Sequence, residues 1–137
     1  MDESLKRIPA ACKRGDEPFR EHGQEVGFDL LSFWRWSTSD LVSNATRGRL
    51  AEYIVARALR FASDGVRDEW APFDLLTPSN IKVEVKSAAY VQSWFQSALS
   101  SVTFVVRKTL AWDADTGKLA REARTPSRCI CLCVPQT

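Results

Sequence analysis

At 137 residues the chain is long enough for one domain with a buried core and too short for two. Its 45% hydrophobic and 26% charged residues suit a soluble globular protein, no apolar run nears the roughly 20 residues that cross a bilayer, and the start lacks a signal-type apolar stretch, so no membrane contact and a cytoplasmic location are expected. The net charge of +2 is uneven: residues 1–42 hold six Lys/Arg against eight Asp/Glu and residues 43–137 thirteen against nine, a mildly basic second part that permits a nucleic-acid partner without demanding one.

Residues 1–27 mix charges with Pro9, Gly15 and Pro18 and show no sustained period, which predicts a poorly ordered leader; residues 28–137 form the single domain. The aromatic stretch Phe28–Trp36 reads as a packing element rather than a base-stacking platform. The clearest helix runs from Asn44 to about Ser63, with Ser43, Asn44 or Thr46 to cap its start and Gly65 after its end. Leu50, Tyr53, Ile54, Ala58 and Phe61 recur at helical spacing as its expected buried stripe, and Arg49, Arg57 and Arg60 mark a solvated face.

Three short strands are then predicted, at Val66–Trp70, Phe73–Thr77 and Ile81–Ala88, with connections that imply an antiparallel meander. Tyr90–Leu99 is either a short helix or a loop. Ser101–Arg107 reads as a strand, residues 113–127 as a polar loop with a helical turn, and Arg128–Val134 as the last strand. Cys129, Cys131 and Cys133 alternate there and share a face, so they do not bridge one another. With no second Cys or His cluster to complete a soft-metal site, they read as small core-facing residues.

The chemistry concentrates in Ile81–Ser87. Its alternation puts Ile81, Val83 and Val85 on one side and Lys82, Glu84 and Lys86 on the other, with Glu84 and Lys86 about 6.5–7 Å apart along the strand. Pairing through the 78–80 turn brings Asp74 beside Glu84. Two carboxylates in close approach raise each other's pKa unless a cation intervenes. Lys86 supplies one positive charge, and a hard divalent ion, Mg²⁺ or Mn²⁺, would supply the rest, held by Asp74, Glu84 and the carbonyl of Val85. Such an ion polarises a phosphoryl oxygen and activates a water, and Lys86 can orient that water. Glu52 lies beside Ala45, Gly48, Ala56 and Leu59 on the helical wheel, small neighbours that let this flank lean over the sheet; the alternative is a solvated glutamate paired with Arg49. Equally, Glu-x-Lys on a strand is a common pattern of a solvated face.

A helix bearing a glutamate, a meander and then Asp-x9-Glu-x-Lys resembles the PD-(D/E)xK, or restriction-endonuclease-like, nuclease superfamily. The words Arg47-Gly48-x-x-Ala51-Glu52-Tyr53, Trp70-Ala-Pro-Phe-Asp74-Leu75 and Val83-Glu84-Val85-Lys86-Ser87-Ala88-Ala89-Tyr90-Val91-Gln92-Ser93-Trp94 are similar to a group of uncharacterised bacterial proteins within it. The likeness spans roughly residues 33–112. It implies an α/β fold with a mixed central sheet flanked by helices, and metal-dependent hydrolysis of nucleic acid, DNA before RNA, by an endonuclease. By it, Asp74, Glu84 and Lys86 take the motif positions and Glu52 the helix carboxylate. Ser87, Tyr90 and Gln92 would position substrate, with packing or exposure the alternative for Tyr90 and Gln92, and such domains often act as homodimers. Phe73 stands where the motif often has proline. The family fold also continues past the last strand, so a C-terminus cut short at Thr137 is expected. The rival expectation is a catalytically inactive domain that binds nucleic acid or a protein.

Overall fold

The computed structural model describes residues 5–60, 65–108 and 110–123 and the strand 129–133. The described residues form two helices and three small, separate sheets.

Regular structure begins inside the segment predicted to be a poorly ordered leader. Strands β1 (Pro18–Glu21) and β2 (Gln24–Asp29) form an antiparallel hairpin, a correction to the sequence reading. Its two-residue turn is His22-Gly23, with φ of 49° and 82°; positive φ at both positions matches the right-handed twist of the strands, and the His-Gly pair gave a weaker signal than Asn-Gly would. Helix α1 (Leu30–Thr38) follows at once, its first turn closed by Asp29, which accepts from the Ser32 N–H at 2.8 Å. The carbonyls of Gly15 and Glu17 take the Leu31 and Leu30 N–H groups at 2.8 and 3.0 Å, so residues 15–17 are tied to the helix start. Gly15 sits at φ 103° with the Trp34 ring 3.0 Å from where a Cβ would stand, a position closed to other residues. Of the aromatic stretch, Phe33 and Trp36 remain exposed.

Helix α2 (Asn44–Ala58) starts where its cap predicts, Ser43 accepting from Thr46 N–H, but ends earlier than expected. Arg60 adopts φ 59°, which stops the helix before Gly65; Phe61 and Ser63 lie outside the described residues. The buried face is also not the predicted one. Tyr53 and Ile54 are 59% and 50% exposed, and Ala58 is exposed too. Arg47, Ala51, Glu52 and Ala56 are the residues turned inward. The reason is steric: the alanine flank lets α2 settle directly on a strand, which the bulkier stripe would hold off.

That strand is β4 (Lys82–Ser87), at the centre of a mixed sheet ordered β3-β4-β7. β3 (Leu75–Leu76) pairs with it antiparallel, Leu75 opposite Val83 and Leu76 opposite Lys82. β7 (Cys129–Cys133) runs parallel to it, Glu84 opposite Ile130 and Lys86 opposite Leu132. Ala51, Val83 and Val85 form the core cluster, with Val55 and Leu75 against it; Val83 is only 2% exposed. The alternation read for this strand holds for Val83 and Val85, while Ile81 is exposed before its start.

The meander is shorter than predicted. Residues 66–70 are irregular rather than a strand, so only one antiparallel pair precedes β7, and residues 101–107 are likewise irregular. The 90–99 segment is a loop of bends. Within 113–127, a small hairpin of β5 (Trp112–Asp113) and β6 (Lys118–Leu119) encloses the expected helical turn, where the Gly117 N–H donates to the Asp113 carbonyl at 2.8 Å. The Asp113 carboxylate closes it by accepting from the Asp115 and Thr116 N–H groups at 2.8 and 3.0 Å. Trp112 meets Trp70 with ring centroids 4.8 Å apart. The orientation expected for the three alternating cysteines lies outside the described residues, as do residues 124–127 of the polar loop and Arg128 of the predicted last strand. No described helix is long and apolar enough to cross a membrane.

Candidate functional site

Asp74 stands just before β3, and continuing the Leu75–Val83 register by one residue puts it opposite Glu84. The ladder is distorted at this point. The Asp74 N–H reaches the Val83 carbonyl at 3.1 Å, one position off the regular pairing, and its carboxylate accepts the Val85 N–H at 2.6 Å. The side chain thus replaces a main-chain acceptor where the partner strand leaves the sheet. This fixes a carboxylate at the edge of the core without a cost in unpaired backbone.

Glu84 and Lys86 share the face of β4 away from Ala51 and form an ion pair with each other. Together with Asp74 and Arg107 they line a cavity of about 370 Å³. On the other side of Asp74 a second cavity, about 330 Å³, is lined by Glu52, Arg67, Phe73 and Asp74 among others. Asp74 is the residue of the site common to both. Glu52 is 8% exposed, brought there by the alanine flank of α2, and it does not pair with Arg49. Its partner is Arg67, whose Nε and Nη2 donate to the two carboxylate oxygens, the second at 3.1 Å.

The electrostatics single out Asp74. Burial pushes its carboxyl above the ordinary aspartate value, and the negative charges of Glu84 and Glu52 push the same way; the Val85 N–H and Lys86 oppose them. Glu52 and Glu84 each hold a cationic side chain, whereas Asp74 is satisfied by a main-chain N–H. A cation beside Asp74 would relieve this repulsion, and the oxygen-rich set of Asp74, Glu84, Glu52 and the Val85 carbonyl has the chemistry of a hard divalent ion's ligands. As arranged, the described residues hold no group of three or more Asp, Glu, His or Cys side chains gathered at metal-ligating closeness.

The residues after Lys86 divide. Gln92 is structural: its Oε1 accepts from Arg47 Nη1 at 3.1 Å and its Nε2 donates to the Ala89 carbonyl at 2.8 Å, which ties the 89–100 loop to α2. Tyr90 is exposed, with its carbonyl taken by the Ser100 N–H at 2.9 Å, and Ser87 is half-buried at the end of β4. Sequence reasoning missed three arginines. Arg47 is buried and holds Val42, Asn44 and Gln92, leaving its Nε without a partner. Its place in the word Arg47-Gly48 was a signal left without a role. Arg67 and Arg107 sit in irregular segments that read as strands, so no periodicity marked them. No protein-family model, curated protein or solved structure matches the chain.

Proposed function

We propose that the chain is a divalent-metal-dependent nuclease that hydrolyses phosphodiester bonds of nucleic acid, as a DNA endonuclease on a restriction-endonuclease-like core, using Mg²⁺ or Mn²⁺. The observation that carries this reading is the convergence on Asp74: Glu84 and Lys86 line one cavity with it and Glu52 the other, while burial and the charges of Glu84 and Glu52 hold its carboxyl above the ordinary aspartate value. Asp74, Glu84 and the Val85 carbonyl would hold the ion, with Glu52 supporting its hydration shell. A bound ion would polarise a phosphoryl oxygen and lower the pKa of a water. Lys86 orients that water and offsets charge developing on the phosphate, and Arg107, on the same cavity wall, offers a second cation to the backbone.

The test is Mg²⁺-dependent cleavage of plasmid and linear DNA, with single-stranded DNA and RNA alongside. Asp74→Asn, Glu84→Gln and Lys86→Ala are each expected to lower the rate by about a hundredfold or more, the scale of losing one electrostatic contributor, with the fold retained by circular dichroism. A specific observation favours a second reading, an inactive domain that binds nucleic acid or protein: Glu52 and Glu84 are already engaged by Arg67 and Lys86. Wild-type protein that binds DNA but cleaves none of these substrates in Mg²⁺ or Mn²⁺ would decide for it.

A further inference from the structure

Arg67 lies in an irregular segment, yet its guanidinium makes three polar contacts at the site. Its guanidinium forks onto both oxygens of Glu52, and Nη1 donates to Glu69 at 2.6 Å. Glu52 is nine-tenths buried, and its side chain lines the same cavity as Arg67 and Asp74. Any cation that used Glu52 would therefore meet a carboxylate whose oxygens are already held by a guanidinium. Glu69 gives Arg67 a second anchor, itself 3.7 Å from Arg49, so the guanidinium has an acidic partner even when Glu52 is withdrawn.

We infer that Arg67 is a positioning residue that stands in for the divalent ion: it holds Glu52 in the cavity wall while the site is metal-free and hands the carboxylate over when an ion binds beside Asp74, remaining on Glu69. This rests on the metal reading above and adds a competitor within the chain to it. The physical reason is charge. Glu52 lines one cavity with Asp74 and Glu84 lines the other, so with Lys86 alone the three acids would carry two uncompensated negative charges around a half-buried Asp74. Arg67 lowers that excess and keeps Glu52 from swinging into solvent, at the expense of metal affinity.

The experiment is calorimetric titration of the full chain with Mg²⁺ and with Mn²⁺, without nucleic acid, for wild type, Asp74→Asn, Arg67→Gln, Arg67→Lys, Glu52→Gln and the Arg67→Gln/Glu52→Gln pair. The expected result is tighter binding in Arg67→Gln by about ten- to hundredfold, the equivalent of one charge-assisted hydrogen bond that no longer has to be broken. Arg67→Lys, which keeps the charge but loses the fork, falls between. The gain vanishes in the Glu52→Gln background. Equal or weaker binding in Arg67→Gln, with wild-type binding abolished by Asp74→Asn, overturns the handover alone. The same gain with and without Glu52 also overturns it, because long-range charge would then be the cause. No ion binding by wild type and Arg67→Gln alike overturns the handover together with the metal reading. Should Arg67→Gln fail to fold by circular dichroism, Arg67→Lys carries the comparison, and an affinity equal to wild type sinks the proposal.

Discussion

Asp74 carries the site's tension, and its cost should be measurable without any substrate. Its folded carboxyl binds a proton more tightly than the unfolded one, first because it is buried and then because Glu84 and Glu52 repel its charge. A raised folded pKa stabilises the fold below the ordinary aspartate value, and that stabilisation is lost as pH rises through the folded value. At neutral pH the metal-free protein therefore bears the full penalty. Asp74→Asn keeps an oxygen for the Val85 N–H and removes the charge. Thermal unfolding at neutral pH should show a higher Tm for the variant, and the difference should disappear at a pH below the usual aspartate range. Saturating Mg²⁺ should reverse the order, because wild type gains about 2.7 kcal/mol at a hundred times Kd and the variant does not. A variant less stable than wild type in chelator at neutral pH would contradict the electrostatic account.

Among the elements, the α2–β4 contact decides where Glu52 stands. Ala51 meets Val83 and Val85 at the floor of this contact, and Glu52 is its chain neighbour. Enlarging Ala51 to leucine should push α2 off the strand at about 1–3 kcal/mol by overpacking, read as a lower urea midpoint, and should carry Glu52 away from Asp74. Metal affinity should fall with it, whereas Ile54→Ala on the exposed side should change neither. This contact also explains what the sequence made visible. The Val-Glu-Val-Lys alternation located β4 and the shared face of Glu84 and Lys86, since period-two burial is a local property. The start of α2 was equally local, resting on Ser43. Its buried face was not legible in the same way, because the large apolar residues Tyr53 and Ile54 lie outward and the inward flank is built of alanines that carry little hydropathy signal. The small-residue flank around Glu52 was the better guide. Residues 101–107 have strand-forming composition and residues 66–70 only Val66 and Trp70 at their ends; neither has a partner in the ladders described, and composition alone cannot report pairing.

At the scale of the molecule, the three sheets of the described residues share no strand, and the hairpins at 18–29 and 112–119 leave the mixed sheet β3-β4-β7 to support the candidate site. Its antiparallel half was foreseeable from the tight 77–81 connection, where the Thr77 N–H donates to the Ile81 carbonyl and the Ile81 N–H to the Thr77 Oγ1, both at 2.9 Å. Its parallel half was not, because β7 lies more than forty residues downstream of β4 and its partner is chosen by the assembled fold. That pairing runs along the stretch bearing both Glu84 and Lys86, Val83 to Ser87 against Cys129 to Cys133. β3 contributes only two residues on the other side, so without β7 the strand would be held by a two-residue ladder and α2. Ending the chain at Arg128 removes those five pairs. The shortened protein is expected to lose cooperative unfolding in urea and to bind no Mg²⁺, while the hairpin at 18–29, which pairs only within itself, keeps its amide protection in hydrogen exchange. Full-length stability in the shortened chain would mean that β3 and α2 alone suffice to hold Glu84 and Lys86. Loss of protection at both places would show that the three sheets unfold as one cooperative unit, with the hairpin dependent on the site-bearing sheet despite the absence of shared strands.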